Sequence, residues 1–410
     1  MRSTRGLARR ILSQFDSALY RNSVYLMLTL LLNSAMGFLF WLLAARFYSV
    51  EDTGIAVVLL SAMSLPILLS RLGLDQSLVR YFPDGNKSRI FASTMFVTGI
   101  ASMVFGVGLV VVASSYYPHL ASDVWYLLVF LFFLASGAML LTTGITFVAI
   151  RRADYYLLQT LVSGSRIVFL PVVAFLGSFG IFSSVGLSMT ISLLLSYILI
   201  HRSGLRLSRI DPHFLKSSIT YSAGNYIAGL LTSSPALIMP ILTLEILGPE
   251  KTAIYNMAYI VASVLYVIPG AFSTSLFVEG SHGESLKRTV TKSMAGVFAF
   301  LTPCVIATIL LSDVILGFIG ENYREGSTLL GVLALSGFLV SLQSIFFSVK
   351  RIQKNTRALI AVGALLFVIV IGSSYPLMVA YGVDGIGYSW LLGYGATGIA
   401  ALVLLKQKIG

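Results

Sequence analysis

The stretch "VYLMLTLLLNSAMGFLFWLLAARFYSVEDTGIAVVLLSAMSLPILLSR", Val24 to Arg71, decides the architecture. Two apolar runs flank the short polar turn "YSVEDTG". Each run holds about twenty residues, enough to cross a hydrocarbon core of about 30 Å as a helix. Neither alternates with a period of two, which excludes barrel strands. Runs of this kind recur to the C-terminus, in a chain that is 57% hydrophobic and 11% charged. A soluble protein carries about 25% charged residues. Twelve spans are expected, at 23–45, 53–72, 91–113, 124–149, 155–177, 181–201, 219–247, 252–278, 293–312, 326–349, 358–381 and 385–405. The fold class is therefore all-α and polytopic.

Charge orients the spans. With the N-terminus inside, every Lys and Arg falls on an inner segment except four. Arg46, Lys251 and Arg324 fall outside, and Arg166 falls within the fifth span. This is the bias that cytoplasmic loops carry. The net charge of +12 is thereby assigned to orientation and to anionic lipid headgroups, and no nucleic acid is needed as partner. The expected location is the plasma membrane, with both termini cytoplasmic.

The chain divides into a basic amphipathic lead-in (1–22), a first set of six spans (23–201), a polar inner connection (202–218, within the stretch that begins "HRSGLRLSRIDPHFLK" at His201), a second set (219–405) and a short tail (406–410). The turn "YSVEDTGIA" after span one is similar to "LGPEKTAIY" after span seven, which suggests a parallel repeat of six spans.

Polar groups inside spans are costly unless satisfied, and here they concentrate in particular spans. Span one carries Asn33, span seven Tyr221, Asn225 and Tyr226, and span eight Asn256, Tyr259 and Tyr266. Span seven also holds Pro235 and Pro240, which free backbone carbonyls. Spans one, two, seven and eight hold equivalent places in the two halves, so a central water-accessible cleft is expected. Spans three, eleven and twelve read as apolar with packing glycines, "GVG" at 106–108 and "GYGATG" at 393–398 among them.

No carboxylate falls deep in a span, whereas cation- and proton-coupled pumps commonly use one. Arg166 is the opposite case. It stands eleven residues beyond Tyr155, roughly 16 Å into the bilayer, where an arginine costs at least about 2.5–3.5 kcal/mol. It either snorkels or bonds to freed carbonyls, or it offers a forked donor to a phosphate. His119, His201, His213 and His282 are scattered, so no metal or cofactor is expected, and the single Cys304 is expected to pack in the core.

The segments "LLAARFYSVEDTGIAVVLL" (42–60), "LSRLGLDQSLVRYFP" (69–83), "RRADYYLLQTLVSGSRIVFLPVVAFLGSFGI" (151–181) and "LGPEKTAIYNMAYIVASVLYVIPGAFSTSLF" (247–277) resemble polysaccharide-biosynthesis transporters. These are the Wzx-type lipid-linked oligosaccharide flippases of the multidrug/oligosaccharidyl-lipid/polysaccharide (MOP) exporter superfamily. The resemblance implies two six-helix lobes in a V around a central cavity, working by alternating access, with no enzymatic step. It implies a polyprenyl-phosphate-linked glycan as substrate, carried from the inner to the outer leaflet. Membrane lipids and glycan polymerase or glycosyltransferase machinery are the implied partners. Relatives place cations in the cavity; here the candidates are Arg166, Arg46, Arg71 and Arg80, with Arg71 and Arg80 equally readable as inner-surface anchors. A cation-coupled multidrug exporter is the alternative, and a membrane glycosyltransferase or polymerase a more distant one.

Overall fold

The structure, a computed structural model, describes residues 18–83, 85–112, 124–281 and 285–409. Most of the expected lead-in, the connection holding His119, and His282 lie outside the described residues. All regular structure among the described residues is helical. In order, the helices are α1 (Ala18–Phe47), α2 (Val50–Ser70), α3 (Leu74–Tyr81), α4 (Lys87–Val112), α5 (Val124–Ala149), α6 (Ala153–Ser163) and α7 (Arg166–Val172). There follow α8 (Ser178–Arg202), α9 (Pro212–Leu247), α10 (Pro249–Ser281), α11 (Leu286–Leu310), α12 (Ser312–Ile319), α13 (Ser327–Ile352), α14 (Thr356–Tyr381) and α15 (Asp384–Ile409).

Among the described residues, eleven helices are long and apolar enough to cross a membrane. They show large apolar side chains to the outside, as Val111 (70% exposed), Leu310 (76%) and Ile399 (68%) do. Such a surface fits a lipid solvent and not water. Cys304 is exposed as well, contrary to the expectation of core packing, because an apolar face in this protein can point outward.

The expected span 155–177 is the one that differs. It is split into α6 and α7, too short singly to cross. The cause is local. Ser163, Gly164 and Ser165 are weak helix formers in sequence. There the ladder tightens from i−4 to i−3 bonds: Ser165 N to Val162 O (3.0 Å), Ile167 N to Gly164 O (3.1 Å) and Val168 N to Ser165 O (2.9 Å). Gly164 (ψ −15°) and Ser165 (ψ −18°) have the corresponding 3₁₀-like backbone. Pro171 follows inside α7, and Gly177, at φ +55°, turns the chain into α8.

The two similar turns fold alike. Ser49 caps α2 by accepting from Asp52 N (3.0 Å), with Glu51 and Asp52 in the first turn. Gly248, at φ +86°, and Pro249 open α10. Thr53 Oγ1 donates to Ser49 O and Thr252 Oγ1 to Gly248 O, both at 2.9 Å. These are the same bond at the same place in each repeat.

The chain groups into two compact units that cut across the sequence halves. One comprises Met1–Phe40, Leu69–Val173 and Ser183–Tyr221, the other Trp41–Leu68, Ala174–Phe182 and Ser222–Gly410. In the first, α4 packs along α5, and Phe82, Phe91, Phe147 and Phe214 fill the core. In the second, α13 packs against α10, α11 and α15, around Tyr255, Leu330, Leu333 and Trp390. Trp41, Leu42, Ala45 and Val50 pack onto that same core. The end of α1 and the start of α2 thus belong with the second repeat.

Candidate substrate-binding site

Arg166 lies in the first unit, at the first position of α7. The tightened turn aims it at α1. A Cβ added at Gly37 would lie 3.8 Å from its Nη2, and its Cζ is 5.4 Å from the Phe40 ring centroid. Asn33, exposed, is one helical turn before Gly37 on α1. The turn itself is pinned from two sides. Gly164 is buried against the Met36 thioether, and Ser163 Oγ bonds Ser192 Oγ of α8 at 2.9 Å.

The guanidinium is under-compensated. Among the described residues Arg166 has no ion pair and no hydrogen bond, and its Nε is sealed from solvent. Ser165 Oγ beside it is likewise sealed without a partner. The contact with Phe40 offsets about 0.5–2 kcal/mol. Insertion at mid-bilayer costs at least about 2.5–3.5 kcal/mol. The Arg166 Nη donors are not sealed, so water or an anion can reach them.

The other cationic candidates are already engaged or lie at the surface. Arg71 pairs with Asp75 at 2.7 Å, beside a shallow recess lined by Thr94, Thr98 and Thr142. Arg80 is exposed in the last turn of α3. Arg46, in the second unit, is exposed, donates to Phe318 O (3.2 Å) and lies 5.2 Å from that ring's centroid. Ahead of α6, Arg152 grips the Asp154 carboxylate at 2.7–3.2 Å and stacks 3.6 Å over Tyr155. That hydrogen bond holds the Asp154 carboxyl below the usual carboxylate range, against the opposing effect of burial.

The second unit brings a different set together. Tyr259 of α10 stands 5.7 Å from Tyr255 and 6.0 Å from Trp390 of α15, between ring centroids. Trp390 in turn stacks on Tyr394 at 5.4 Å and 20°. Tyr266 OH bonds Leu333 O and Ser336 Oγ, both at 2.8 Å. Asn256 Nδ2 is sealed without a partner. Asn225 and Tyr226 of α9 are half-buried. The side chain of Tyr221 lies outside the described residues. Trp390 and Tyr394 escaped the sequence reading because α15 reads as apolar with glycine. Their only signal was an aromatic spacing of i, i+4.

The sequence profile of the polysaccharide biosynthesis protein family matches residues 19–277, well over half of the chain. The chain belongs to that family. Among curated proteins none matches it in sequence. Among solved structures, a multidrug resistance MATE family transporter of the MOP superfamily, inward-facing, superposes with a TM-score of 0.68 at 15% identity, covering 96% of this chain and 98% of that one. Lipid II flippase MurJ, in an inward closed conformation, superposes with a TM-score of 0.72 at 14% identity, covering 93% and 87%. MATE in a bent conformation gives 0.64 at 13%, covering 96% and 95%. At such identities the likeness is one of fold. With the family match, it bears out the resemblance to the MOP superfamily and the all-helical membrane fold.

Proposed function

We propose that this family member is a flippase that carries a polyprenyl-(pyro)phosphate-linked oligosaccharide from the cytoplasmic to the outer leaflet of the plasma membrane by alternating access, with both termini cytoplasmic and no catalytic step. Membrane lipids surround it, and glycan polymerase or glycosyltransferase machinery is its natural partner. The observation that carries the reading is Arg166: a guanidinium deep in a span, with no anionic partner among the described residues. Its forked donors match a phosphate. The family's place in polysaccharide biosynthesis supplies the glycan. Outward movement of a negative head is downhill in an inside-negative membrane, by about 2.3 kcal/mol per charge per 100 mV.

The test is translocation of lipid-linked oligosaccharide in proteoliposomes, at matched insertion. Wild type flips; Arg166→Ala loses at least about tenfold in rate, since a charge-assisted bond is worth about 1.5–3 kcal/mol. Arg166→Lys recovers only part, because it keeps the charge and loses the fork. Equal rates in all three variants would remove Arg166 from the site. A wild type that moves organic cations and no glycolipid would favour the exporter alternative.

A further inference from the structure

Arg166 answers to one end of a glycolipid head, its phosphate. A guanidinium does not select neutral sugar rings. The second unit holds a group of side chains with the complementary chemistry. Tyr255, Tyr259, Trp390 and Tyr394 form a continuous ladder of rings across α10 and α15. Tyr255 and Trp390, each 1% exposed, form its fixed backing. Tyr259 and Tyr394 are half-buried, and neither hydroxyl has a protein partner among the described residues. Both pack against the core of their unit. A phenol hydroxyl without a partner is costly in hydrocarbon, so a polar medium or ligand is needed there.

Asn256 Nδ2, beside the ladder, is sealed from solvent without a partner. Asn256 stands one helical turn before Tyr259 on α10, so the amide and the half-open ring share a face. Rings with a negative face attract C–H groups, which carry slight positive charge. A pyranose presents such C–H groups on one side and hydroxyl oxygens at its rim. Those hydroxyls can bond the phenols of the half-buried Tyr259 and Tyr394.

We propose that the Tyr259–Tyr394 face, with Asn256 at its edge, is a docking subsite for the pyranose rings of the glycan. This rests on the flippase reading for its biological meaning, but its chemistry can be tested alone.

Trp390 is a built-in reporter, because it stacks directly on Tyr394. The protein has two other tryptophans, Trp41 and Trp125. In nanodiscs, with both changed to phenylalanine, Trp390 alone emits. The probe is cellobiose, two β-linked pyranoses without charge, and the control is geranyl pyrophosphate, which has phosphates and no sugar. Cellobiose should change Trp390 emission saturably, and geranyl pyrophosphate should not. Tyr394→Leu should weaken the response about tenfold, as expected for losing one aromatic face. Tyr375→Leu, at an exposed ring outside the ladder, should respond as the parent does, and unliganded Trp390 emission close to the parent's in each variant excludes collapse of the ladder. No response to cellobiose, or an equal response in Tyr394→Leu, overturns the subsite. Translocation is read separately. Sugar binding without glycolipid transport leaves the subsite standing and overturns the flippase reading; transport without sugar binding does the reverse.

Discussion

Gly54 and Gly108 are the same residue in helices of the same kind, yet their neighbours set opposite demands. A Cβ at Gly54 would run into the backbone carbonyl of Pro249, and neither backbone can yield cheaply. Nothing lies within 4 Å of a Cβ at Gly108. Gly54→Ala should therefore destabilise by on the order of 1–3 kcal/mol through overpacking. Gly108→Ala should be neutral or stabilising, since alanine is the better helix former by about 1 kcal/mol. Thermal unfolding in detergent checks both, and a Gly54→Ala protein as stable as wild type would mean the two turns are not in contact. The same pair shows what composition leaves illegible. The "GVG" motif was read as packing, and Gly106 does meet Leu131 and Leu134, but Gly108 packs on nothing. A helix period gives the spacing of glycines and not the identity of the face opposite. Arg166, by contrast, was legible as an anomaly, because a charge in an apolar run stands out in any fold. Its neighbours Gly37 and Phe40 were not, since they come from a helix more than a hundred residues earlier.

At the scale of elements, the fifth span is the departure from expectation. Hydropathy registers apolar length, and a single tightened turn barely changes it. The signal was there in Ser163-Gly164-Ser165 and Pro171, but such residues are tolerated in many membrane helices. The turn matters because each 3₁₀ step advances about 20° more than an α step, which rotates everything after it, Arg166 first. A Cβ at Gly164 would sit 2.5 Å from Met36 Sδ, within a flexible side chain that can move aside. Gly164→Ala should then keep most of the transport rate. Gly164→Leu has no such escape, drives α1 away from the arginine and should slow translocation about tenfold at unchanged insertion. If the leucine variant transports as wild type does, the close seat of Gly164 on α1 has no part in presenting Arg166.

For the whole molecule, the contact between the two repeated turns carries an argument about topology. Gly54 at the start of α2 meets Pro249 at the start of α10, so both lie at one face of the membrane. The number of crossings between them must be even. The long helices from α2 to α9 supply five, namely α2, α4, α5, α8 and α9. We propose that the sixth is α6 and α7 acting together, which would give twelve crossings from eleven uninterrupted helices. The basic segments of both repeats then fall on one face, as the positive-inside rule demands of a parallel repeat. Single cysteines in a Cys304→Ser background test this in intact cells with a membrane-impermeant maleimide. Glu51→Cys, Glu321→Cys and Leu176→Cys should label from outside, while Arg152→Cys and Arg206→Cys should label only after permeabilisation. Leu176 and Arg152 bracket the broken span, so equal labelling of those two would show that α6 and α7 re-enter instead of crossing. That result would also place the Gly54 and Pro249 turns on opposite faces, which their contact forbids, so the parity and the packing stand or fall together.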